Sequence, residues 1–539
     1  MRSYGVRIGG VEEPGARWAH WPRGGESLPA PRATRELEAR LERGESPPDA
    51  ERVMAGRVAL STSEQGVRAL AAARAAQPAW ARTPLADRLE FMRSVYEEVT
   101  DRHDEILDVL VAEGHPVRLA RWELASVACA FHPESVAALA AQLHEERTLG
   151  GRRTRLVRRP DGVVCLSPPG RAPTSRSFAG ALVLAAGNAL VVNAPPTAPL
   201  GVAYVYAEIV GPLLARHGAP PGVLSVVCAP VRTALRQWLE SPDCDDVYFF
   251  GSSDQGLRLE RECVLAGKKP VLETSGADGV LVWRDAEADL AARALAERFY
   301  GSGQLPSTPA YAVVHPAVAD RLLKELAESA RAIRPGPPED PETVLTPVAE
   351  RGEFTALVRE AVDGGAELVV GGELVDLHGE GCAAGPFAQP TVVRVHGLAA
   401  AERLRAVREE TCAPLLCVVV PEADADDRTL LDETLAFLDR AGHGVRNSLW
   451  ARDDQVIDRF CDEVGGCAAL RVNDSHLGPL PVLPVGGGLG GAGGILGEAG
   501  HPAVRTSRLQ TVSLATGVAP RARVFDHASS AWPGAARGR

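Results

Sequence analysis

Glu273 stands in the run LETSGADGVLVW (272–283), and 30 residues further on come Gly303-Gln304-Leu305-Pro306-Ser307-Thr308. A carboxylate with apolar neighbours is a candidate general acid or base. A serine hydroxyl becomes a nucleophile only beside such a base, so Ser307 with Glu273 is a candidate pair for acyl chemistry, with Ser302 and Thr308 as neighbours. The alternative leaves Ser307 and Thr308 bonding nearby loop backbone and Glu273 accepting from loop N–H groups. Pro306, between these groups, brings neither a reactive side chain nor a backbone N–H.

Other segments carry weaker signals. Gly251-Ser252-Ser253-Asp254-Gln255-Gly256 reads as a strand-to-helix turn. Its N–H groups can face a pyrophosphate, or it is simply a tight turn that packs the fold. The loop 484–497 (PVGGGLGGAGGILG) contains Gly488-x-Gly490-x-x-Gly493, but it does not open a βαβ unit, so it is poor evidence for a nucleotide. The ten cysteines are scattered and lack metal spacing, which reads as reduced, mostly buried thiols and a cytoplasmic protein; no metal site is expected. Arg152, Arg153, Arg155, Arg158 and Arg159 form a basic run, either a solvated or subunit-facing strand edge or a docking surface for a protein partner.

These residues need a large frame to position them. The chain has 539 residues, enough for two or three domains, with 45% hydrophobic content and a net charge of −12. The acidic balance argues against nucleic-acid binding. No apolar run is long enough to span a membrane, and no signal-peptide core opens the chain. The only lysines are Lys268, Lys269 and Lys324, which removes most candidates for Schiff-base chemistry. Residues 11–55 are rich in Pro, Gly and Arg and read as an exposed arm or insertion. Ser61-x-x-Glu64 is a capping-box signal for a helix over 64–77, and helical periodicity continues through 85–113 and 117–143. From residue 163 strands and helices alternate: strands at 163–167, 189–193, 223–228 and 246–250, each followed by a helix. That alternation predicts a doubly wound parallel sheet of the Rossmann-like α/β class. A second α/β run covers about 270–470, a late strand 506–515, and the tail from 517 reads as flexible.

Several stretches then fall in one family's order: GRVALSTSEQGVRALAAARAAQPAW (56–80), LAAGNALVV (184–192), APPGVLSVV (219–227), FFGSSDQG (249–256), QPTVV (389–393), EETCAP (409–414) and PVGGG (484–488). Over about 56–515 the chain resembles the aldehyde dehydrogenase superfamily. The resemblance implies a dinucleotide-binding domain from 1–147, 162–272 and 475–500, and an α/β catalytic domain from 273–474. It also implies a small β oligomerisation module from 148–161 and 501–516, hence a homodimer or homotetramer.

In that family a thiolate attacks the aldehyde, hydride passes to NAD or NADP, and a carboxylate activates the water that releases the acid. Glu273 matches the carboxylate, but Pro306 occupies the position of the nucleophilic Cys. The oxyanion is held there by the nucleophile's own N–H and by an Asn side chain. Here Pro306 has no N–H, and the Asn position is Gly170, in Ser167-Pro168-Pro169-Gly170. The Lys and Glu that hold the adenosine ribose are replaced in Asn193-Ala194-Pro195-Pro196, where Asn193 keeps one potential donor. The Gly after the next strand is Ala229. Glu410 matches the Glu that bonds the nicotinamide ribose, and Cys412 replaces the family's Phe, either as a displaced thiol or as an apolar filler. The cofactor turn reduces to Gly251, Ser252 and Gly256. The expectation is a pseudoenzyme or partner subunit unable to oxidise aldehydes through a thiol, with an eroded NAD(P) site. The alternatives are a repurposed enzyme working through Glu273, and an NAD(P)-dependent oxidoreductase with a displaced nucleophile.

Overall fold

Period-two alternation in the apolar strands feeds two cores from one sheet. The computed structural model describes residues 1–149, 152–170, 173–306, 308–422, 426–441, 444–479, 493–495 and 500–515. Its first seven-stranded sheet has the order Lys269–Ser275, Asp246–Ser252, Val163–Ser167, Ala189–Asn193, Leu224–Val227, Val6–Ile8, Val11–Glu13. The first five strands are parallel. Val164, Leu166, Leu190 and Val192 face one core, packed under the helices Leu85–Asp101, Val117–Phe131 and Pro173–Val183. Val163, Cys165, Ala189 and Val191 face the other, with Ala69 and Ala73 of Ser63–Arg82 and Trp238 of Val231–Glu240. A strand buried on both faces must be apolar throughout, as VVCLS and ALVVN are.

The chain passes into a second seven-stranded sheet after Ser275. Its order is Glu367–Val370, Thr391–His396, Leu415–Val420, Pro309–Val314, Asp278–Val282, Arg446–Trp450, Ala469–Val472. All of its pairings are parallel except that of Glu367–Val370, an antiparallel edge. A separate three-stranded antiparallel sheet joins His144–Leu149 and Arg152–Pro160 to Ser507–Leu514. The molecule thus has an α/β fold with mixed, mainly parallel sheets.

The strands of the predicted parallel sheet pair as expected, and two short antiparallel strands extend its edge: Val6–Ile8 pairs with Leu224–Val227, and Val11–Glu13 with Val6–Ile8. Residues 11–55 are mostly exposed or half-buried, but they are built into the fold. Arg17–Pro22 pairs along Met54–Leu60, and Leu37, Val53 and Met54 form a small core under the helix Pro31–Glu42. The composition hid this because few apolar residues suffice when a strand borrows its hydrogen bonds from a neighbour. The capping box also lies one residue later: Thr62 accepts from Gln65 N, and the Gln65 side chain accepts from Thr62 N. Most of the glycine-rich loop 484–497 and the tail from 517 lie outside the described residues.

Among the described residues no single helix is long and apolar enough to cross a membrane; one bent pair, Val117–Phe131 with Pro133–Leu143, passes on length and composition together.

Candidate functional site

Three loops approach the carboxyl ends of the first sheet's strands, and a cavity of about 1250 Å³ opens between the two sheets. Gly170, Gly251, Ser252, Glu273, Pro306, Glu410 and Cys412 all line it. Residues as far apart in sequence as Gly170 and Cys412 are therefore brought to one space. Asn193 and Gly256 are not among its walls, and Ser307 lies outside the described residues.

Pro306 follows a turn of unusual backbone. Gly301, Ser302 and Gly303 have φ of 60°, 55° and 67°, a left-handed run that a non-glycine residue enters only under constraint. The constraint is visible. Ser302 Oγ donates to Thr346 O at 2.5 Å and accepts from Thr346 N at 3.0 Å. A Cβ at position 303 would meet Ala413 O at 2.2 Å, so only glycine fits the close approach of the two loops. Ser302 is fully buried and Thr308 nearly so. Thr308 Oγ1 accepts from Arg298 at 2.5 Å. The neighbouring hydroxyls that sequence offered as substitutes for a nucleophile are thus held by the loop itself.

Arg298 organises this wall. Its guanidinium is buried and donates to Leu415 O, Thr411 O, Thr411 Oγ1 and Ala413 O, besides Thr308. It clamps the segment carrying Glu410 and Cys412 against the turn carrying Pro306. Burial lowers its pKa to about 10, and the groups that oppose this most are Cys412, Cys417 and Glu410. Cys412 Sγ stands 3.9 Å from Glu410 Oε1.

Glu273 is not the isolated carboxylate that its sequence context suggests. Arg505, 232 residues away, pairs with Glu273 Oε1 through Nη1 and donates Nη2 to Leu272 O at 2.7 Å. Tyr248 donates to the same carboxylate oxygen at 3.2 Å. Both members of the ion pair are about nine-tenths buried. Burial first, and then the charge of Glu273, pushes the Tyr248 phenol well above its usual range. Four residues before Arg505, His501 also lines the cavity. Its Nδ1 accepts from Ala503 N at 3.2 Å, which leaves the proton on Nε2, and burial lowers its pKa to about 3.

The cofactor residues divide. Ser252 caps the helix Ser253–Leu265, accepting from Gln255 N at 3.4 Å, and this helix start faces the cavity. Gly256 has a packing reason of its own: a Cβ there would stand 2.6 Å from Thr274 Cγ2. Asn193 is a correction. Its side chain is fully buried, donates to Ala229 O at 3.0 Å and accepts from Ala229 N at 2.9 Å. It ties the end of its strand to the next loop and presents nothing to a ribose. Gly170 is exposed on the cavity wall without a side chain. Of the residues that the sequence assigned to a dinucleotide, Gly251, Ser252 and Glu410 line the cavity, and Asn193 and Gly256 do not.

Sequence reasoning missed Arg505, Tyr248, Arg298 and three cavity arginines, Arg176, Arg446 and Arg471. No local signal could have found them, since each acts across more than one loop.

Comparisons place this geometry among known proteins. A family model described as the aldehyde dehydrogenase family matches residues 43–505. An α-ketoglutarate semialdehyde dehydrogenase of Haloferax volcanii is 30% identical over 437 residues, covering 79% of this chain and 86% of its own length. A vanillin dehydrogenase of Pseudomonas fluorescens is 30% identical over 443 residues, covering 80% and 84%. Among solved structures, an NAD-dependent aldehyde dehydrogenase from Sinorhizobium meliloti superposes with a TM-score of 0.78 at 22% identity, covering 97% of this chain and 96% of its own. An aldehyde dehydrogenase from Mycobacterium tuberculosis, complexed with NAD+, gives 0.78 at 21% identity, covering 96% and 100%.

Proposed function

The chain belongs to the aldehyde dehydrogenase family, and we propose that it is a member that does not oxidise aldehydes through a thiol, its cleft serving to bind a ligand for a scaffold, sensor or partner-subunit role. The observation that carries this reading is the occupant of the cavity wall at the end of the left-handed turn: Pro306, with neither thiol nor N–H. Two further features support it. Gly170 brings no side-chain donor to the same cavity, and loss of one oxyanion donor costs about 3 kcal/mol of transition-state stabilisation. Glu273, the remaining family carboxylate, is engaged by Arg505 and Tyr248.

The test is turnover and its rescue. Purified protein with NAD or NADP and a panel of aldehydes is expected to form no NAD(P)H. The double variant Pro306→Cys, Gly170→Asn is the informative gain-of-function arm. An Asn side chain at 170 would have to displace Thr197 Oγ1, 3.2 Å from the added Cβ, by a few tenths of an ångström. Steady NAD(P)H formation by the unaltered protein would overturn the reading.

A second reading rests on Cys412, a thiol on the same wall near the buried charge of Arg298; a positive neighbour favours the thiolate. It predicts that Cys412→Ser abolishes any aldehyde turnover that is found.

We also propose a homo-oligomer. Supporting it are Leu257, Val264 and Leu265, which are 42%, 65% and 79% exposed on one face of Ser253–Leu265, and the open edge of Ser507–Leu514.

A further inference from the structure

The cavity holds more positive charge than the family chemistry explains. Arg176, Arg446 and Arg471 line it together, one from the helix Pro173–Val183 and two from neighbouring strands of the second sheet. We propose that these three arginines form a recognition site for the carboxylate of an organic acid whose apolar body lies along the partly buried side chains of Trp122 and Ala130. This rests on the reading that the cleft binds a ligand, and it names that ligand's chemical class.

The three guanidiniums are unevenly satisfied. Arg176 makes no hydrogen bond and no ion pair among the described residues, although it is half-buried in the cavity. Arg446 donates through Nη1 to His476 O, while its buried Nε has no partner among the described residues. Arg471 is 7% exposed; it donates to Ser475 O at 2.8 Å and to Gly478 O at 2.5 Å, and its buried Nε also has no partner among the described residues. Among the described residues the nearby acids reach only one of them: Asp474, half exposed, pairs with Arg471 at 3.6 Å. Asp278 accepts from Arg446 N and from His476 instead. Glu297 is held by Ser475, with its pKa raised by burial. Burial, and then the charges of Arg471 and Arg176, lower the Arg446 pKa to about 10, so the three groups share one field.

Like charges gathered in a water-poor wall are destabilising until an anion arrives, and the planar fork of arginine matches a carboxylate in two-point contact. The rest of the cavity decides between a bare anion and an amphipathic one. Trp122 and Ala130, on the helix Val117–Phe131, line the cavity and are only partly buried, while Phe131, Phe178, Leu139 and Leu182 back them as core. Such a surface gains from covering by an alkyl or aryl body, not by a hydrated inorganic ion.

The test uses calorimetry on the full chain with octanoate, its neutral isostere octanamide, and inorganic phosphate. Octanoate is expected to bind, octanamide roughly tenfold or more weakly, and Arg176→Gln to weaken octanoate by a similar factor. Arg176 holds no other element, so the melting temperature of that variant without ligand should be unchanged. Equal binding of octanoate and octanamide overturns the inference, as does undiminished binding in Arg176→Gln. So does phosphate binding tighter than octanoate, or no octanoate binding up to millimolar concentration. The octanamide comparison needs no variant, so it stands even if Arg176→Gln fails to fold. Aldehyde turnover by the unaltered protein would sink the proposed function without touching these outcomes.

Discussion

At the scale of single residues, the site is defined by what each polar group already touches. Glu273 has the sequence of a general base and the surroundings of a structural anion. Its ion pair with Arg505 is about nine-tenths buried, and removing one member of such a pair leaves the other charge uncompensated. Glu273→Gln is therefore expected to destabilise the fold by about 2–4 kcal/mol, read by urea denaturation, with Arg505→Gln giving a similar loss. A fully stable Glu273→Gln protein would show that the carboxylate is held in reserve for chemistry. Ser302 gives the converse case. Its hydroxyl both donates to and accepts from Thr346, and that pair of bonds holds the backbone at φ 55°. Ser302→Ala keeps the strained φ and leaves the half-buried Thr346 N–H without this partner, so a loss of about 1–2 kcal/mol is expected in the same assay. Ser302→Gly, which relieves the strain, should lose less.

At the scale of elements, the loops that end the strands decide the site, and one of them carries a pH signature. His501 caps the short helix Pro502–Arg505, which delivers Arg505 to Glu273. Burial lowers its pKa from 6.5 to about 3. Between those values only the unfolded chain binds the proton, so stability falls as pH drops from 6.5 towards 3. The slope is at most about 1.4 kcal/mol per pH unit. Asn accepts the same backbone N–H and does not titrate. His501→Asn is thus expected to lose about 1–2 kcal/mol less than the unaltered protein between pH 7.5 and pH 5, by denaturation at both values. Identical pH slopes would place the titrating group elsewhere. The strands that carry these loops were legible because burial on both faces forces unbroken apolar runs: Val163–Ser167 and Ala189–Asn193 fall at the residues the alternation predicts. The convergence of Gly170, Glu273, Pro306 and Glu410 on one cavity was legible only through the ordered motifs. The partners were not. Arg505 lies 232 residues from Glu273, Asn193 bonds a loop 36 residues away, and an arginine's sequence neighbours do not reveal which loops it will clamp.

At the scale of the whole molecule, the open question is what covers its exposed apolar face. The helix Ser253–Leu265 turns Leu259 and Cys263 into the core, while Leu257, Val264 and Leu265, spaced at seven and eight residues, point outwards together. Nearly complete burial of such side chains is worth about 1.5–3 kcal/mol each, so three on each of two copies offer a substantial share of a stable interface. A two-fold contact would bury the same face on both copies. The strand Ser507–Leu514 adds an unpaired edge with Leu509 55% exposed, a second surface that a single chain leaves open to pairing. Light scattering after size exclusion should give the unaltered protein a mass at least twice the 56.9 kDa of one chain. Val264→Asp with Leu265→Asp places two charges at the centre of the proposed contact and should return the mass to that of one chain with an unchanged circular dichroism spectrum. Because the same helix begins at Ser252 on the cavity wall, loss of the contact should also loosen that wall and weaken octanoate. A dimeric double variant would move the interface to the open strand edge, and a monomeric unaltered protein at micromolar concentration would leave the apolar face for a different partner.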